Sequence, residues 1–528
     1  MPYDITVIEE YAFYKNGELD SIVIPQTNEL ERIEAYAFYE CMSIVSFTIY
    51  ENVSYIGDRA FYNCSLLENV VILSSFFEAG FEAFKETPYE DSQSGEIYIG
   101  KVLAGLKGEM DEEYILTVAP DTTAIAAYAF ENQHNLKKVV LPEGVNSIGK
   151  GAFKNCENLE EINIQDTLLK RIEDESFYGC ISLNEIVIGQ AIEYIGESAF
   201  RECHALSLIL DGGSLKEIGG YAFSMSNISS VHIPAGVKRI GSYAFEGADL
   251  EEVKFLSQNS LEYIGEGAFY GLNSTSFDMA VLNELLEVGD FAFYSCHGLL
   301  EFVAPNIQSY GEDVFYDCKN LEKTTLVDKE LFLMFGSVLD AEYYDIIELN
   351  GEYYSVPKSL TFVYISNACE SVTEYAFYNC KSLKVVDLGS SVTKIGDYAF
   401  YQCLGLERVV INEGLEQIGD YAFYACEKLI SSHEAQEIQK FVLPLSITTI
   451  GEYAFYNCAS IENISLEENS RLRYIGERAF ANLENTIFEL ALIRSLIIGD
   501  YAFENCALLE EVKVQSIQEM GYGVFSGC

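Results

Sequence analysis

Fourteen cysteines and five histidines are the residues of this chain best suited to nucleophilic or metal chemistry. Their spacing decides what they can do. Thirteen of the cysteines, among them Cys41, Cys64, Cys156, Cys403 and Cys458, follow a phenylalanine by three residues, and Cys369 alone stands outside the set. Where this cysteine is missing, its place is taken by residues such as Ala248, Ser226, Leu272 or Leu483. Small or apolar replacements point to a space-filling core column, because a buried thiol behaves as a small hydrophobe. The same replacements argue against a required disulfide framework. No Cys-x-x-Cys pair and no Cys/His group has the spacing of a metal site. His204 and His297 directly follow column cysteines, which raises a Cys-His dyad as a candidate. Consecutive residues rarely face one another, so the thiol is expected to point inward and the imidazole outward. The sequence contains no phosphate-binding loop, no Gly-x-Ser-x-Gly and no His-Glu-x-x-His. The expectation is a chain with no catalytic residue, no metal site and no cofactor.

The acids are far more numerous. Aspartate and glutamate total 83 against 32 lysines and arginines, a formal charge of −51. Nucleic acid and anionic membranes both reward basic residues, so neither is expected as a partner. Many acids recur three residues before a phenylalanine, including Asp58, Glu197, Asp290, Asp397, Asp420, Glu452 and Asp500. There they are expected to cap the free N–H groups of a short turn. Solubility, cation binding and attraction to a basic partner remain alternative uses of the overall charge.

Tyrosine is the third notable type, with 37 copies and no tryptophan. One set lies two residues before the phenylalanine and includes Tyr375, Tyr398, Tyr421, Tyr453 and Tyr501. A second set follows it directly, as at Tyr378, Tyr401, Tyr424 and Tyr456. Repetition turns each set into a column. Tyrosine offers rigid amphipathic contact area, which suits a binding surface as well as ring-on-ring stacking.

The element that positions all of these residues is a repeat. Ile395–Cys403 reads IGDYAFYQC, Ile418–Cys426 reads IGDYAFYAC and Ile450–Cys458 reads IGEYAFYNC. The phenylalanine marks twenty copies from Phe13 to Phe525, about 23 residues apart. A fixed period of this size is the signature of a solenoid, in which each unit buries its apolar face against its neighbours. Counting the phenylalanine as zero, position −5 is aliphatic and position −4 is usually glycine. Position −1 is small, and Leu-x-x-Val-x-Ile follows the cysteine. The alternating stretch reads as a strand and the Ala-Phe pair as a short helical or 3₁₀ turn. One elongated domain over residues 1–528 is expected, with one parallel strand per repeat. Repetition begins in mid-unit at Ile5–Phe13 and stops at Cys528, which reads as a segment of a longer protein.

Two stretches break the period. Residues 85–118 carry alternating apolar segments on either side of Lys107-Gly108 and read as an inserted hairpin. Residues 320–369 carry tyrosine-rich segments flanking Asn350-Gly351, a strong hairpin signal. Departures from a solenoid's period are frequent sites of binding specificity. The second insertion supplies Phe332, Phe335, Tyr343, Tyr344, Tyr353 and Tyr354 as candidate interface anchors, with inward packing as the alternative. The column Tyr375, Tyr398, Tyr421, Tyr453 and Tyr501 is the other candidate surface.

The pattern Ile-Gly-x-x-Ala-Phe-x-x-Cys-x-x-Leu-x-x-Val-x-Ile, which the copies approximate, resembles the BspA-like leucine-rich repeats over nearly the whole chain. The resemblance implies a right-handed, curved leucine-rich-repeat solenoid. It also implies a bacterial cell-surface or secreted protein concerned with adhesion to host matrix or to other cells. The expected function is a non-catalytic binding scaffold whose partner is a protein. A structural stalk presenting another domain, and a glycan-binding module using the tyrosine columns, are the other readings.

Overall fold

The computed structural model describes residues 4–25, 29–74, 78–204, 207–210, 213–327, 335, 342–349, 352–432, 440–466, 470–484, 486–490, 496–510 and 515–528. They form two compact units, residues 1–253 and 254–528. Both are parallel-strand solenoids, as expected.

Two features differ from the sequence reading. Most repeats supply two strands. The Leu-x-x-Val-x-Ile segment forms the longer one, as in Ser46–Ile49 paired in parallel with Asn69–Ile72. Positions −6 and −5 form a second, two-residue strand. In the first unit Val7–Ile8, Arg32–Ile33, Tyr55–Ile56 and Glu78–Ala79 pair in parallel in that order. In the second unit the same role passes from Ser371–Val372 through Lys394–Ile395, Gln417–Ile418 and Thr449–Ile450 to Tyr474–Ile475. Sequence periodicity registers the buried isoleucine of this pair, but two residues are too few to show alternation.

The second difference is the turn. Helix is confined, among the described residues, to Pro88–Asp91, a 3₁₀ segment at Ile164–Asp166 and helical Phe335. Overlapping β-turns take the place of the expected helical turn. In one coil Ala37 N–H donates to Glu34 O, Tyr39 N–H to Tyr36 O and Cys41 N–H to Phe38 O. The alternate amides reach across to the next coil, Tyr36 N–H to Asp58 O, Phe38 N–H to Ala60 O and Glu40 N–H to Tyr62 O, at 2.7–2.9 Å. Every N–H from −2 to +3 in this coil is thereby satisfied, as a buried turn requires. The geometry needs a left-handed residue at −2 and another at +2. Both positions have positive φ in all twenty repeats, for example Tyr398 at 54° and Gln402 at 54°. A bulky residue held there is strained by about 1–2 kcal/mol, and the inter-coil ladder over-determines it.

Glycine at −4 has a different cause. It is not left-handed; its Cα lies against the preceding coil, and a Cβ on Gly396 would sit 2.6 Å from Glu374 N. Inside the ladder the phenylalanines stack in one column per stretch of unbroken repeats. Phe377, Phe400, Phe423 and Phe455 follow one another at 5.0–5.2 Å and are fully buried.

Both insertions contain hairpins. In the first, Gly95–Ile99 pairs antiparallel with Val102–Lys107, so the turn is Gly100-Lys101 and not Lys107-Gly108. Gly100, at φ 60°, takes the left-handed position that a tight hairpin demands. Val102 and Leu103 then pair in parallel with Ala124 and Ile125, and so occupy the short-strand column. In the second, Tyr344–Leu349 pairs antiparallel with Glu352–Pro357 around residues 350 and 351, which lie outside the described residues. The solenoid closes behind this insertion, since Lys323–Leu326 pairs directly with Phe362–Ile365.

Candidate functional site

The cysteines settle into the interior. Twelve thiols donate to the carbonyl oxygen of the phenylalanine one coil earlier, as Cys403 Sγ does to Phe377 O at 3.0 Å and Cys458 Sγ to Phe423 O at 3.0 Å. The column therefore ties coils together as well as filling space. Burial pushes these thiols up, to about 12 at Cys64 and Cys156, which disfavours the nucleophilic thiolate. Cys528 is exposed, unlike the rest of its column, and Cys369 is buried although it lies outside the column. Cys203 and Cys296 face Phe177 O and Phe269 O, while His297 Nε2 pairs with Asp317 Oδ2 at 2.9 Å. Neither sequence-adjacent Cys-His pair assembles as a dyad.

The periodic aspartates cap, but not their own turns. Asp58, Asp397, Asp420 and Asp500 accept from the N–H of Phe81, Asp420, Glu452 and Tyr522, the equivalent position one coil later. The carboxylates thus satisfy an amide of the stack. Among the described residues no group of three or more His, Cys, Asp or Glu side chains is arranged to hold a metal.

The second insertion divides its aromatic candidates. Phe335 is fully buried, its ring 6.0 Å from Phe315, and Tyr344 is 1% exposed. Both pack inward, where burial pushes the Tyr344 phenol up. Neither is placed to contact a partner. Tyr343 and Tyr353 are exposed, with Lys319 Nζ 5.0 Å from the Tyr343 ring centroid, and Tyr354 is half-buried. Phe332 lies outside the described residues.

The tyrosine columns run along four successive coils of the second unit. Tyr375, Tyr398, Tyr421 and Tyr453 stack at 5.1, 4.8 and 4.8 Å with interplanar angles of 10° or less. Arg478 continues the column in place of tyrosine, 5.8 Å from the Tyr453 ring and 4.5 Å from that of Tyr501. Its guanidinium also donates to Tyr453 Oη at 2.9 Å and pairs with Glu504 at 3.1 Å. Beside it, Tyr378, Tyr401, Tyr424 and Tyr456 stack at 4.9–5.1 Å. Members of the two columns also touch, as Tyr398 and Tyr401 do at 5.6 Å. All eight side chains are half-buried, their ring faces spent on one another, and the Tyr453 hydroxyl also donates to Glu477 at 3.2 Å. Asp397, Asp420 and Glu452 immediately precede the inner column at each coil. The result is a ribbed amphipathic strip with an acidic margin.

The profile of the BspA type leucine rich repeat region matches residues 1–94, 123–250, 216–332, 349–434 and 431–528. The chain belongs to the BspA-type leucine-rich repeat family. Among solved structures it is similar to a leucine-rich repeat protein of Bacteroides ovatus, 25% identical, with a TM-score of 0.39 over 74% of this chain and 94% of that one. A leucine rich cell surface protein of Faecalibacterium prausnitzii is 18% identical, with a TM-score of 0.24 over 88% and 84% of the two chains. The leucine rich repeat protein of T. pallidum is 24% identical, with a TM-score of 0.24, covering 33% of this chain and 90% of its own. No curated protein sequence matches the chain. Members of this repeat family are scaffolds that commonly bind proteins. No helix among the described residues is long and apolar enough to cross a membrane.

Proposed function

We propose that this BspA-type array is a non-catalytic adhesion scaffold displayed on or outside a bacterial cell, and that it binds a protein partner through the tyrosine columns of its second unit. The double column from Tyr375 to Tyr456 carries this reading. Stacked rings are held rigid before any partner arrives, so little side-chain entropy is lost on contact. Their exposed edges and hydroxyls offer apolar area and hydrogen bonds together, a combination enriched in binding hot spots. The acidic margin favours a partner with a basic surface. Sugar recognition commonly uses open ring faces. Here most faces are covered by the next ring, which favours protein over glycan. Tyr343 and Tyr353 on the second hairpin are additional contact candidates.

The test is saturable binding of the chain to a panel of immobilised host matrix proteins. It is repeated with a variant in which Tyr398, Tyr401, Tyr421 and Tyr424 are all serine. The variant should keep its circular dichroism spectrum and lose binding at least tenfold, the effect of removing one hot spot worth about 1.4 kcal/mol or more. Undiminished binding by the folded variant, or no saturable binding to any of the proteins, would remove this reading. A parallel glycan panel checks the alternative.

A further inference from the structure

The phenylalanine column is interrupted at both insertions, and the two breaks are repaired differently. At the second, Phe335 and Tyr344 are buried in the break, Phe335 directly against Phe315. At the first, the column stops at Phe84 and resumes at Phe130, 46 residues or two periods later. One turn, with its phenylalanine, is skipped. Hairpin residues Ile97 and Ile99 fill the inner part of the gap and are buried. The outer part remains a cavity of about 310 Å³, walled by Phe84, Tyr89, Ile97, Tyr128 and the backbone of both flanking coils.

Those backbone walls carry unused hydrogen-bonding groups. In the coil before, Arg59, Phe61 and Asn63 donate their N–H groups to Phe81, Ala83 and Lys85 across the ladder at 2.8–2.9 Å. The equivalent amides of Glu82 and Phe84 make no hydrogen bond to any described residue, while that of Glu86 is directed at the Glu90 carboxylate. Opposite them, the carbonyls of Ala127, Ala129 and Glu131 accept none either, although the equivalent carbonyls of the next coil, at Lys150, Ala152 and Lys154, each do. Glu90 Oε2 is a further buried atom on this wall without a hydrogen-bond partner. The unused amides of Glu82 and Phe84 and the unused carbonyls of Ala127, Ala129 and Glu131 therefore line one cavity, beside the point where Ala127 N–H donates to Ala79 O at 3.0 Å.

We infer that this cavity is a receptor for a short peptide bearing an aromatic side chain. The ring occupies the break in the phenylalanine column, and the peptide backbone closes the open ladder. Main-chain hydrogen bonds supply affinity and the aromatic pocket supplies selectivity, the division of labour seen when a peptide adds to an exposed sheet edge. The volume lies at the lower end of the range for small-ligand sites and suits one aromatic residue and its flanking backbone. This site lies in the first unit and does not depend on the tyrosine columns of the second.

The probe is the capped tetrapeptide acetyl-Tyr-Ala-Phe-Tyr-amide, the sequence of residues 398–401, titrated into the intact chain by calorimetry. Saturable one-site binding is expected, weakened at least tenfold when glycine replaces the phenylalanine. Hydrogen exchange supplies a readout that needs no variant. In the free chain the amides of Glu82 and Phe84 should exchange faster than those of Arg59 and Phe61, and the peptide should slow them. Ala104→Phe, which fills the cavity from the hairpin, should abolish binding while the rest of the exchange pattern is kept. Should that variant fail to fold, amide protection in the unaltered chain decides. Absence of binding, binding that ignores the phenylalanine, or binding that leaves those two amides unprotected would each overturn the proposal. So would binding of phenethylamine in place of the capped peptide, which would mark the cavity as a cation site formed by its carboxylates.

Discussion

At the scale of single residues, three positions carry constraints that differ from their appearance in the sequence. Gly396 and its equivalents resemble turn glycines, yet the demand is close approach to the preceding coil. Gly396→Ala forces its Cβ to within 2.6 Å of Glu374 N and should destabilise the second unit by about 1–3 kcal/mol, the range for overpacking a tight contact. Urea denaturation of the paired proteins measures this. The tyrosines at −2 occupy left-handed backbone, a conformation no sequence rule would assign to so bulky a residue. The asparagines at +2 did carry that signal. Asn63, Asn155, Asn457 and Asn505 share the conformation, and asparagine tolerates it better than most residues. The cysteine was legible as a core residue from its replacements, but its bond to the neighbouring coil was not, because a thiol's donor role leaves no periodic trace. Cys403→Ala removes both volume and donor and should cost about 1 kcal/mol. Cys403→Ser should cost no more, since Ser226 fills the same position in its own repeat by donating to Phe223 O at 2.6 Å. Paired denaturation curves for the two substitutions separate these effects.

At the scale of elements, the longer strand and the solenoid stacking followed from the 23-residue period, and the second hairpin from Asn350-Gly351. The first hairpin did not. Gly100-Lys101 and Lys107-Gly108 offer the same residue types, and the choice between them is made by Val102 and Leu103, which must pair with Ala124 and Ile125 to continue the stack. Tertiary pairing overrode local turn chemistry. The aspartate caps show the same limit, because their partners are one whole coil away. Of the candidate site, the tyrosine columns could be read from repetition alone. Which aromatics of the second insertion face inward could not, since Phe335 and Tyr344 are buried by the break they close. Arg478 within the column was also missed, although its place two residues before Phe480 was there to be seen.

At the scale of the whole molecule, the buried thiols make stability depend on alkaline pH. A thiol whose folded-state pKa is raised keeps its proton while the unfolded chain loses it, so the folded state binds more protons between the two values. Stability is therefore fully present below the ordinary thiol value near 9.0 and is lost as pH rises toward about 12. Each such thiol contributes about 1.4 kcal/mol per pH unit in that window. The half-buried tyrosines Tyr375, Tyr398, Tyr401, Tyr421 and Tyr424 are raised by burial as well and add in the same direction. Urea midpoints should be level from pH 7 to 8.5 and fall steeply above 9.5. A midpoint that holds to pH 11 would show that the thiols ionise freely in the folded chain.

The tyrosine strip of the second unit is the surface we propose this scaffold presents to a protein. Hydroxyl-radical footprinting of the chain, free and bound to a matrix protein that it retains, reads that surface residue by residue. Protection should concentrate at Tyr375, Tyr398, Tyr401, Tyr421, Tyr424, Tyr453 and Tyr456. Protection confined instead to the longer strands, at Val385–Asp387 and Arg408–Val410, with the tyrosines oxidised as in the free chain, would contradict the account.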